Sequence, residues 1–293
     1  MKALVYGGPG KRDWCEVPDP SLRDPEDAVV AIDATTICGT DLHILKGDVP
    51  EVEPGRVLGH EAVGTVVEIG SAVRDVAVGD RVLVSCISAC GRCHYCREGH
   101  FGQCRGGGGW ILGHLIDGTQ AEFVRVPFAD HSLHRLPADL EDDKALLLAD
   151  IGPTAYEVGV LRGGVKPGDA VVIVGAGPIG LAAVRTARLF NPSRIIVVDP
   201  DDGRRTRALQ AGAHAALDPG EDVDIALRQG HHEDGADVVI EAVGTPATFE
   251  LCTELVRPGG TVANVGVHGA PATLHLEKLW IRDVTITTGL VAT

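Results

Sequence analysis

The chain has 293 residues and a formal net charge of −15, from 26 basic and 41 acidic side chains. That length is enough for two domains with a well-buried core, and so acidic a surface repels phosphate backbones, which argues against nucleic acid as a partner. No apolar run is long enough to span a bilayer, and the first ten residues lack the apolar core of a signal peptide, so we expect a cytoplasmic protein with reduced cysteines.

The first half of the chain is predicted to be rich in β-strands. Short segments in it are β-branched or alternate between apolar and polar residues, as half-buried strands do. The predicted strands are Ala28–Thr35, Gly64–Ile69, Asp80–Ser85 and Ala121–Val126. Glycine-containing pairs at 70–71 and 79–80 mark turns between them, and the N-terminal residues indicate one more strand entering a turn.

A polar, glycine-containing loop holds four of the eight cysteines within fifteen residues. They are Cys90, Cys93, Cys96 and Cys104. Thiolates two residues apart can turn towards one point, and a fourth completes the tetrahedron that structural zinc prefers. The alternative, a pair of disulfides, does not fit a protein without an export signal. We therefore predict a zinc site, and since four thiolates fill it, no substrate can bind that metal.

From about Asp150 the pattern changes to alternating strands and helices. The run Ala170–Val174 is continuously apolar, which is typical of a strand buried on both faces of a parallel sheet. Further strands are predicted at Arg194–Val198, Ala213–Leu217, Val238–Ala242, Thr261–Val265 and Val284–Thr288. Helices are predicted at Ile151–Leu161, Ile179–Leu189, Arg204–Gln210, Asp222–Arg228 and Pro246–Leu255. This alternation predicts a doubly wound parallel sheet of six strands.

A glycine fingerprint lies between the first of these strands and the helix that follows it. Gly175, Gly177 and Gly180 form Gly-x-Gly-x-x-Gly there, which is the context of a dinucleotide-binding loop. The first glycine allows the tight turn, the second leaves room for a pyrophosphate, and the third lets the helix pack close to the strand. The pyrophosphate would lie at the positive end of the helix that begins near Pro178.

The second strand of this half ends in a carboxylate, Asp199, nineteen positions after Gly180. A carboxylate there accepts hydrogen bonds from the adenosine ribose and repels a 2′-phosphate, so NAD is favoured over NADP. Arg204 and Arg205 lie nearby and could partly offset that repulsion. The alternative is that Asp199 only starts a turn before Pro200, but its position in the fingerprint favours the cofactor role.

Two further segments carry residue types that bind metals. The first is Cys-Gly-Thr-Asp-Leu-His, from Cys38 to His43, and the second is Gly59-His60-Glu61. Cysteine and histidine are good zinc ligands, and a site with few protein ligands keeps a position open for substrate. The spacing alone leaves the alternative open, because a buried cysteine and a hydrogen-bonded core histidine have the same appearance in a sequence.

With these motifs in this order, the chain resembles a zinc-dependent alcohol dehydrogenase of the medium-chain dehydrogenase/reductase family. It is most similar to the bacterial secondary-alcohol dehydrogenases of that family. The resemblance implies an α/β protein with a β-rich GroES-like catalytic domain over 1–152, its structural-zinc lobe at about 86–112, and a Rossmann domain over 153–293. It also implies a substrate cleft between the two domains.

The resemblance assigns roles to particular residues. It makes Cys38, His60 and Asp150 the protein ligands of a catalytic zinc, and Glu61 a glutamate that can enter the zinc shell. Among the remaining residues that it assigns, Thr40 touches the substrate oxygen, His43 ends the proton relay and Trp110 lines the substrate pocket. The implied cofactor-binding residues are Gly175, Gly177, Pro178, Ile179, Gly180, Asp199, Arg204, Val243, Val265, Gly266 and Val267.

The implied function is hydride transfer between a small primary or secondary alcohol and NAD, with two zinc ions per chain and a homodimeric or homotetrameric assembly. A threonine or polyol dehydrogenase of the same family is an alternative. Related chains continue for several dozen residues beyond the position of Thr293. We therefore also expect this exact chain to be less stable than a longer relative and poorly active, and a truncated zinc- and nucleotide-binding protein is the remaining alternative.

Overall fold

The computed structural model describes residues 1–221, 223–228 and 232–292. The chain forms two compact units. The first consists of Met1–Asp150 together with Val291 and Ala292, and the second of Ile151–Leu290. Among the described residues, no helix is long and apolar enough to span a membrane.

The first unit is built on an antiparallel sheet. In the part of the chain that the structure describes, this sheet has five strands, in the spatial order Phe123–Val126, Ala28–Thr35, Ala62–Ile69, Arg81–Val84 and Leu133–Arg135. Apolar side chains of the strands, among them Val30, Val66 and Val82, pack into one buried cluster. This burial explains why the alternating pattern predicted four of the five strands.

Shorter elements complete the first unit. Lys2–Tyr6 and Arg12–Glu16 pair as an antiparallel hairpin, of which only the first strand was predicted. The helices are Gly39–Lys46, His94–Arg97, Ala129–Ser132 and Asp142–Leu146, with a 3₁₀ turn at Phe101–Gln103. Every residue of Arg12–Glu16 is exposed, so that strand lacks the apolar alternation by which strands are predicted.

The second unit is a doubly wound α/β fold. Within the described ranges its sheet has six parallel strands, in the order Ala215–Leu217, Arg194–Val198, Ala170–Val174, Ala236–Glu241, Val256–Asn264 and Thr285–Thr288. Both faces of the sheet are covered by buried apolar clusters. The predicted fold class is thereby confirmed. The strand order reverses between Ala170–Val174 and Ala236–Glu241, which in such folds marks the ligand-binding crevice.

The helices of the second unit follow the predicted ones closely, except that Leu276–Leu279 was not predicted. They are Pro178–Ala187, Asp202–Ala211, Val223–Arg228, Pro246–Leu255 and Leu276–Leu279, with a 3₁₀ turn at Arg188–Phe190. The segment predicted as one helix over Ile151–Leu161 is helical throughout, but it changes from an α-helix, Ile151–Thr154, to a π-helix, Ala155–Leu161. Asp222, where the prediction starts its fourth helix, lies outside the described residues.

Candidate functional site

The first candidate ligand, Cys38, is held at the start of a helix. Cys38 is the N-cap of Gly39–Lys46, and its backbone N–H donates to Asp41 Oδ2 at 2.8 Å. A carboxylate three residues into a helix commonly bonds back in this way, because the first backbone donors of a helix have no partner inside it. The short polar sequence therefore fixes the backbone that carries the Cys38 thiol.

The structure brings Cys38 together with His60, Glu61 and Asp150. One ligand atom from each of the four lies within 4.8 Å of the others. His60 Nε2 is 3.3 Å from Asp150 Oδ2, and Cys38 Sγ is 3.9 Å from the same oxygen. All four residues belong to the first unit, although they are far apart in the sequence. The sequence motifs thus converge on one cluster, which we call the catalytic cluster.

The electrostatics of the catalytic cluster fit a divalent cation. Burial and the neighbouring Asp150 carboxylate raise the pKa of Glu61 to about 8. Burial by itself would lower the pKa of His60, but hydrogen bonds to Asp150 and Cys38 and the charges of Asp150 and Asp41 raise it well above its ordinary value. Burial and the nearness of other acidic groups disfavour ionisation of these carboxyl groups. A divalent cation bound among them would favour the ionised forms and lower their pKa values. A thiol, an imidazole and carboxylates are also the donor set that zinc accepts.

Buried polar contacts hold the second ligand segment in place. The hydroxyls of Thr35 and Thr119 both donate to the backbone oxygen of Glu61, at 2.7 and 3.0 Å. The Thr36 hydroxyl donates to Glu61 Oε2, while Glu61 Oε1 has no hydrogen-bond partner among the described residues. A buried carboxylate oxygen without a donor is costly unless something else, such as a metal ion, satisfies it. This unpaired oxygen is the second observation that a cation fits here.

The residues assigned to substrate and proton transfer lie on the helix that follows Cys38. Thr40 Oγ1 is 3.8 Å from Cys38 Sγ. His43 is one helical turn further on, and its Nδ1 is 2.7 Å from Asp48 Oδ2. Since a carboxylate only accepts, Nδ1 carries the proton in that pair and Nε2 is left to accept another. Thr40 and His43 therefore share one face of the helix, the first beside the catalytic cluster.

Trp110 lies against the catalytic cluster. Its ring meets that of His60 edge to face, with centroids 6.3 Å apart, and it stacks on His114 with centroids 4.2 Å apart. Sequence reasoning did not single out His114. Cys86 is buried near Asp150, Glu61 and Cys38, and burial raises the pKa of its thiol well above the ordinary value.

The four clustered cysteines form a second, separate centre. Their Sγ atoms all lie within 4.8 Å of one another, and none of them is in a disulfide. Backbone N–H groups point at the sulfurs, for example those of Cys93 to Cys90 Sγ and of Arg105 to Cys93 Sγ, both at 3.4 Å. The N–H groups of Arg105 and Cys96 lower the pKa of Cys93 to about 6. Such donors stabilise thiolates, the form in which cysteine binds zinc.

The glycine fingerprint adopts the geometry that a pyrophosphate site requires. Gly175 has φ 100°, in the left-handed region that favours glycine, and the helix begins at Pro178. A Cβ added to Gly177 would meet nothing within 4 Å, whereas one added to Gly180 would collide with the carbonyl oxygen of Gly175. Gly177 therefore leaves open space in front of the helix N-terminus, and Gly180 allows helix and strand to approach.

These two glycines give opposite predictions. Gly177→Val is expected to keep the free energy of unfolding of the wild type but to weaken NAD binding by about 2 kcal/mol or more, because its side chain fills the space left for the pyrophosphate. Gly180→Ala is expected to lower the free energy of unfolding by about 1–3 kcal/mol, as overpacking does. Urea unfolding and NAD titration of both variants check this. Unimpaired NAD binding by Gly177→Val would contradict the assignment.

Asp199 does more than its sequence position indicated. It directly follows the strand Arg194–Val198 and is 2% exposed. Its carboxylate accepts from the backbone N–H groups of Ala176, at 2.7 Å, and Asp201, at 2.8 Å, and Arg204 Nη1 lies 3.8 Å away. The Asp199 carboxylate therefore holds the backbone of the glycine loop through Ala176, in addition to occupying the sequence position that the fingerprint predicts for a ribose contact.

Two segments that contain predicted cofactor-binding residues, Val243 and Val265–Val267, lie side by side at the carboxyl edge of the same sheet. Glu241 Oε1 accepts from the N–H groups of Val243, at 3.0 Å, and Gly244, at 2.8 Å. Gly244 in turn packs so closely on the backbone of Val267 that no side chain would fit between them. Val243 and Val267 are 45% and 54% exposed, so both present accessible surface at this edge.

Two protein-family models match the chain. The model described as "Alcohol dehydrogenase GroES-like domain" matches residues 24–138. The model described as "Zinc-binding dehydrogenase" matches residues 178–293. The two matches together define a zinc-binding dehydrogenase with a GroES-like part and a nucleotide-binding part.

Similar proteins agree with the family models. The zinc dependent alcohol dehydrogenase 2 from Streptococcus pneumoniae has a TM-score of 0.94 and 48% identity, over 100% of this chain and 83% of that one. A dehydrogenase from Sinorhizobium meliloti, solved with NADP, has a TM-score of 0.84 and 34% identity, over 99% and 84%. An alcohol dehydrogenase of Cupriavidus necator is 38% identical over 94% of this chain and 79% of its own. The chain belongs to the zinc-dependent alcohol dehydrogenase family of medium-chain dehydrogenases/reductases.

Proposed function

We propose that this enzyme interconverts a small primary or secondary alcohol and its aldehyde or ketone, with NAD as hydride acceptor and a zinc ion held by Cys38, His60 and Asp150. The observation that carries the proposal is the catalytic cluster, in which a thiol, an imidazole and two carboxyl groups surround one point. Four ligand atoms within 4.8 Å, beside a helix with a hydroxyl and a histidine, are the parts that alcohol oxidation needs.

The chain's own residues position the alcohol and carry its proton. When bound, zinc supplies the Lewis acidity that lowers the pKa of an alcohol towards neutrality. Thr40 Oγ1, beside Cys38, would hold the alcohol hydroxyl and accept its proton while giving up its own hydroxyl proton to the relay that ends at His43. His43, with Nδ1–H donating to Asp48, would accept a proton at Nε2 and pass it to solvent, since its side chain is 18% exposed. Glu61, whose ligand atom lies within 4.8 Å of those of the other three residues, is available to enter the zinc shell.

NAD is proposed in preference to NADP. Asp199 supports this, because a buried carboxylate held by two backbone donors presents negative charge where a 2′-phosphate would have to lie. Arg204 would favour NADP instead, because its positively charged guanidinium lies 3.8 Å from that carboxylate and could attract a 2′-phosphate. The Arg204 side chain is half-exposed. A buried charge in a fixed position outweighs an exposed, screened one.

A panel of substrates tests the proposal. The purified protein, loaded with zinc, is incubated with NAD or NADP and with small primary alcohols, secondary alcohols, polyols and threonine, while reduced cofactor is followed. NADH formation with a small primary or secondary alcohol is expected, at rates clearly above those with NADP. Turnover only with polyols or threonine would place the enzyme elsewhere in the family, and no turnover with any member of the panel would contradict the proposed activity.

We also propose a homodimer or homotetramer, in the cytoplasm. The support is the strand Thr285–Thr288, which is the outer strand of the six-stranded sheet, and the neighbouring Trp280 and Ile281, which are 73% and 70% exposed. Within the described residues this strand is paired on one side only, and such an edge with large exposed apolar side chains favours pairing with a second copy. Zinc-binding thiolates also need the reducing conditions of the cytoplasm. Sedimentation equilibrium should give two or four times 30.6 kDa, and a concentration-independent monomer would contradict the proposed assembly.

A further inference from the structure

Gln120 lies beside the His60 loop and was not singled out by any sequence motif. Its backbone N–H donates to the carbonyl oxygen of Leu58 at 2.8 Å, and that of Thr119 donates to Gly59 at 3.0 Å. The Gln120 side chain is 5% exposed. A long polar side chain is rarely buried so fully unless it has partners there.

The partners of Gln120 lie on the other ligand segment. Its Nε2 donates to the Thr36 carbonyl and to Asp41 Oδ2, both at 3.0 Å. Because a peptide carbonyl only accepts, the amide must present its NH₂ end to these two groups. The side chain thus joins the segment that carries His60 to the segment that carries Cys38.

Each partner of Gln120 contacts the catalytic cluster directly. Asp41 Oδ2 also accepts from the N–H of Cys38 at 2.8 Å, and Asp41 Oδ1 lies 3.9 Å from His60 Nδ1. The Thr36 hydroxyl donates to Glu61. One buried amide therefore lies behind the thiol, the imidazole and the glutamate together.

We infer that Gln120 is a positioning residue for the catalytic zinc: its amide ties Thr36 and Asp41 so that Cys38, His60 and Glu61 are held in place before the metal binds. This inference rests on the proposed metal site. Groups that orient metal ligands from behind typically change metal affinity by about 10–100-fold when they are removed. Among the described residues the Gln120 side chain donates to Thr36 and Asp41 and to no lobe cysteine, so its effect should be confined to one of the two zinc sites.

Zinc affinity measured on the full chain tests this inference. Gln120→Met keeps the length of the side chain but removes both donors, and Gln120→Glu keeps its shape but sets a second carboxyl group against Asp41. In zinc-buffered dialysis, each variant is expected to bind the catalytic zinc about 10–100-fold more weakly than the wild type. The four-cysteine site should keep its zinc in both variants. Excess zinc should restore most of the turnover of Gln120→Met.

Val66→Ala is the matched control, because Val66 is a buried strand residue of the same unit whose side chain is apolar and packs in the core cluster. It should lower the free energy of unfolding without changing either zinc affinity. Wild-type affinity at the catalytic site in both Gln120 variants would overturn the inference, and so would loss of both zinc ions in parallel. Cys38→Ser distinguishes a failure of the proposed metal site from a failure of the Gln120 inference. If Cys38→Ser keeps two zinc ions, the proposed site itself is wrong, whatever the Gln120 variants show.

Discussion

Cys38→Ser is expected to abolish alcohol oxidation, with kcat/KM lowered by about 1,000-fold or more. Metal-ion catalysis contributes several kcal/mol to such a reaction, and each 1.4 kcal/mol or so is a factor of ten in rate. Serine is a poor zinc ligand near neutral pH, and Cys38 supplies the one thiol of the catalytic cluster. Steady-state kinetics with the best alcohol of the panel, together with metal analysis, measure both effects on one preparation.

The same variant should retain one zinc ion per chain. The four lobe cysteines form a complete ligand set without Cys38, so their metal should be unaffected. Cys15→Ser is the control, since Cys15 is exposed and lies in neither cluster. It should keep two zinc ions and wild-type turnover. Substantial turnover by Cys38→Ser would show that the catalytic metal is held elsewhere.

Cys96→Ser is expected to have the largest effect on stability. Cys96 is buried in the lobe, in contact with the other cysteines. Whole structural zinc sites contribute about 10–16 kcal/mol to the folding of small domains, so losing one of four ligands should cost on the order of 5 kcal/mol. The lobe has little apolar core of its own to offset that loss, because its buried cluster consists largely of the cysteines.

Chemical unfolding with and without a chelator measures this loss. The wild type should be destabilised by the chelator to about the level of Cys96→Ser, and Cys96→Ser should respond to the chelator much less. During treatment with the chelator, Cys96→Ser should lose the zinc of the lobe before it loses the catalytic zinc. If it unfolds at the wild-type denaturant concentration with two zinc ions bound, the four cysteines do not form a structural site.

Most of the fold could be predicted because its patterns are local. Ala28–Thr35, Ala170–Val174 and Arg194–Val198 have the predicted bounds, since each is a strongly β-branched run with clear turn residues beside it. The strand predicted from Thr261 instead begins at Val256. Its pairing with Ala236–Glu241 is irregular, because Ala236 pairs with Val256 and Val238 already pairs with Thr261. Pro258-Gly-Gly within it has the composition of a turn, and Gly259, at φ 73°, departs from extended backbone there.

The helix Gly39–Lys46 shows where local signals fail. Its N-cap is Cys38 rather than serine, threonine, aspartate or asparagine, so the usual start signal is absent. The acid at its third position, Asp41, was the available signal, since it bonds back to the Cys38 backbone as a capping carboxylate does.

The candidate sites also differ in how well the sequence predicts them, according to whether their residues are contiguous in the chain. The glycine fingerprint and the four-cysteine loop are contiguous in sequence, so spacing alone indicates their chemistry. Cys38, His60 and Asp150 come from three distant segments, and only the family resemblance connected them before the structure placed them within 4.8 Å. Gln120 and His114 carry no sequence signal, because their roles depend on tertiary contacts with residues far along the chain.

Anomalous diffraction at the zinc absorption edge, on crystals of the zinc-loaded protein, tests the central claim most directly. It locates each zinc ion and the protein atoms around it, independently of turnover. The account predicts two peaks per chain, one bounded by Cys38, His60 and Asp150, and one by the four cysteines of the lobe. A single peak at the lobe in fully loaded protein, or a second zinc bound away from Cys38 and His60, would contradict it.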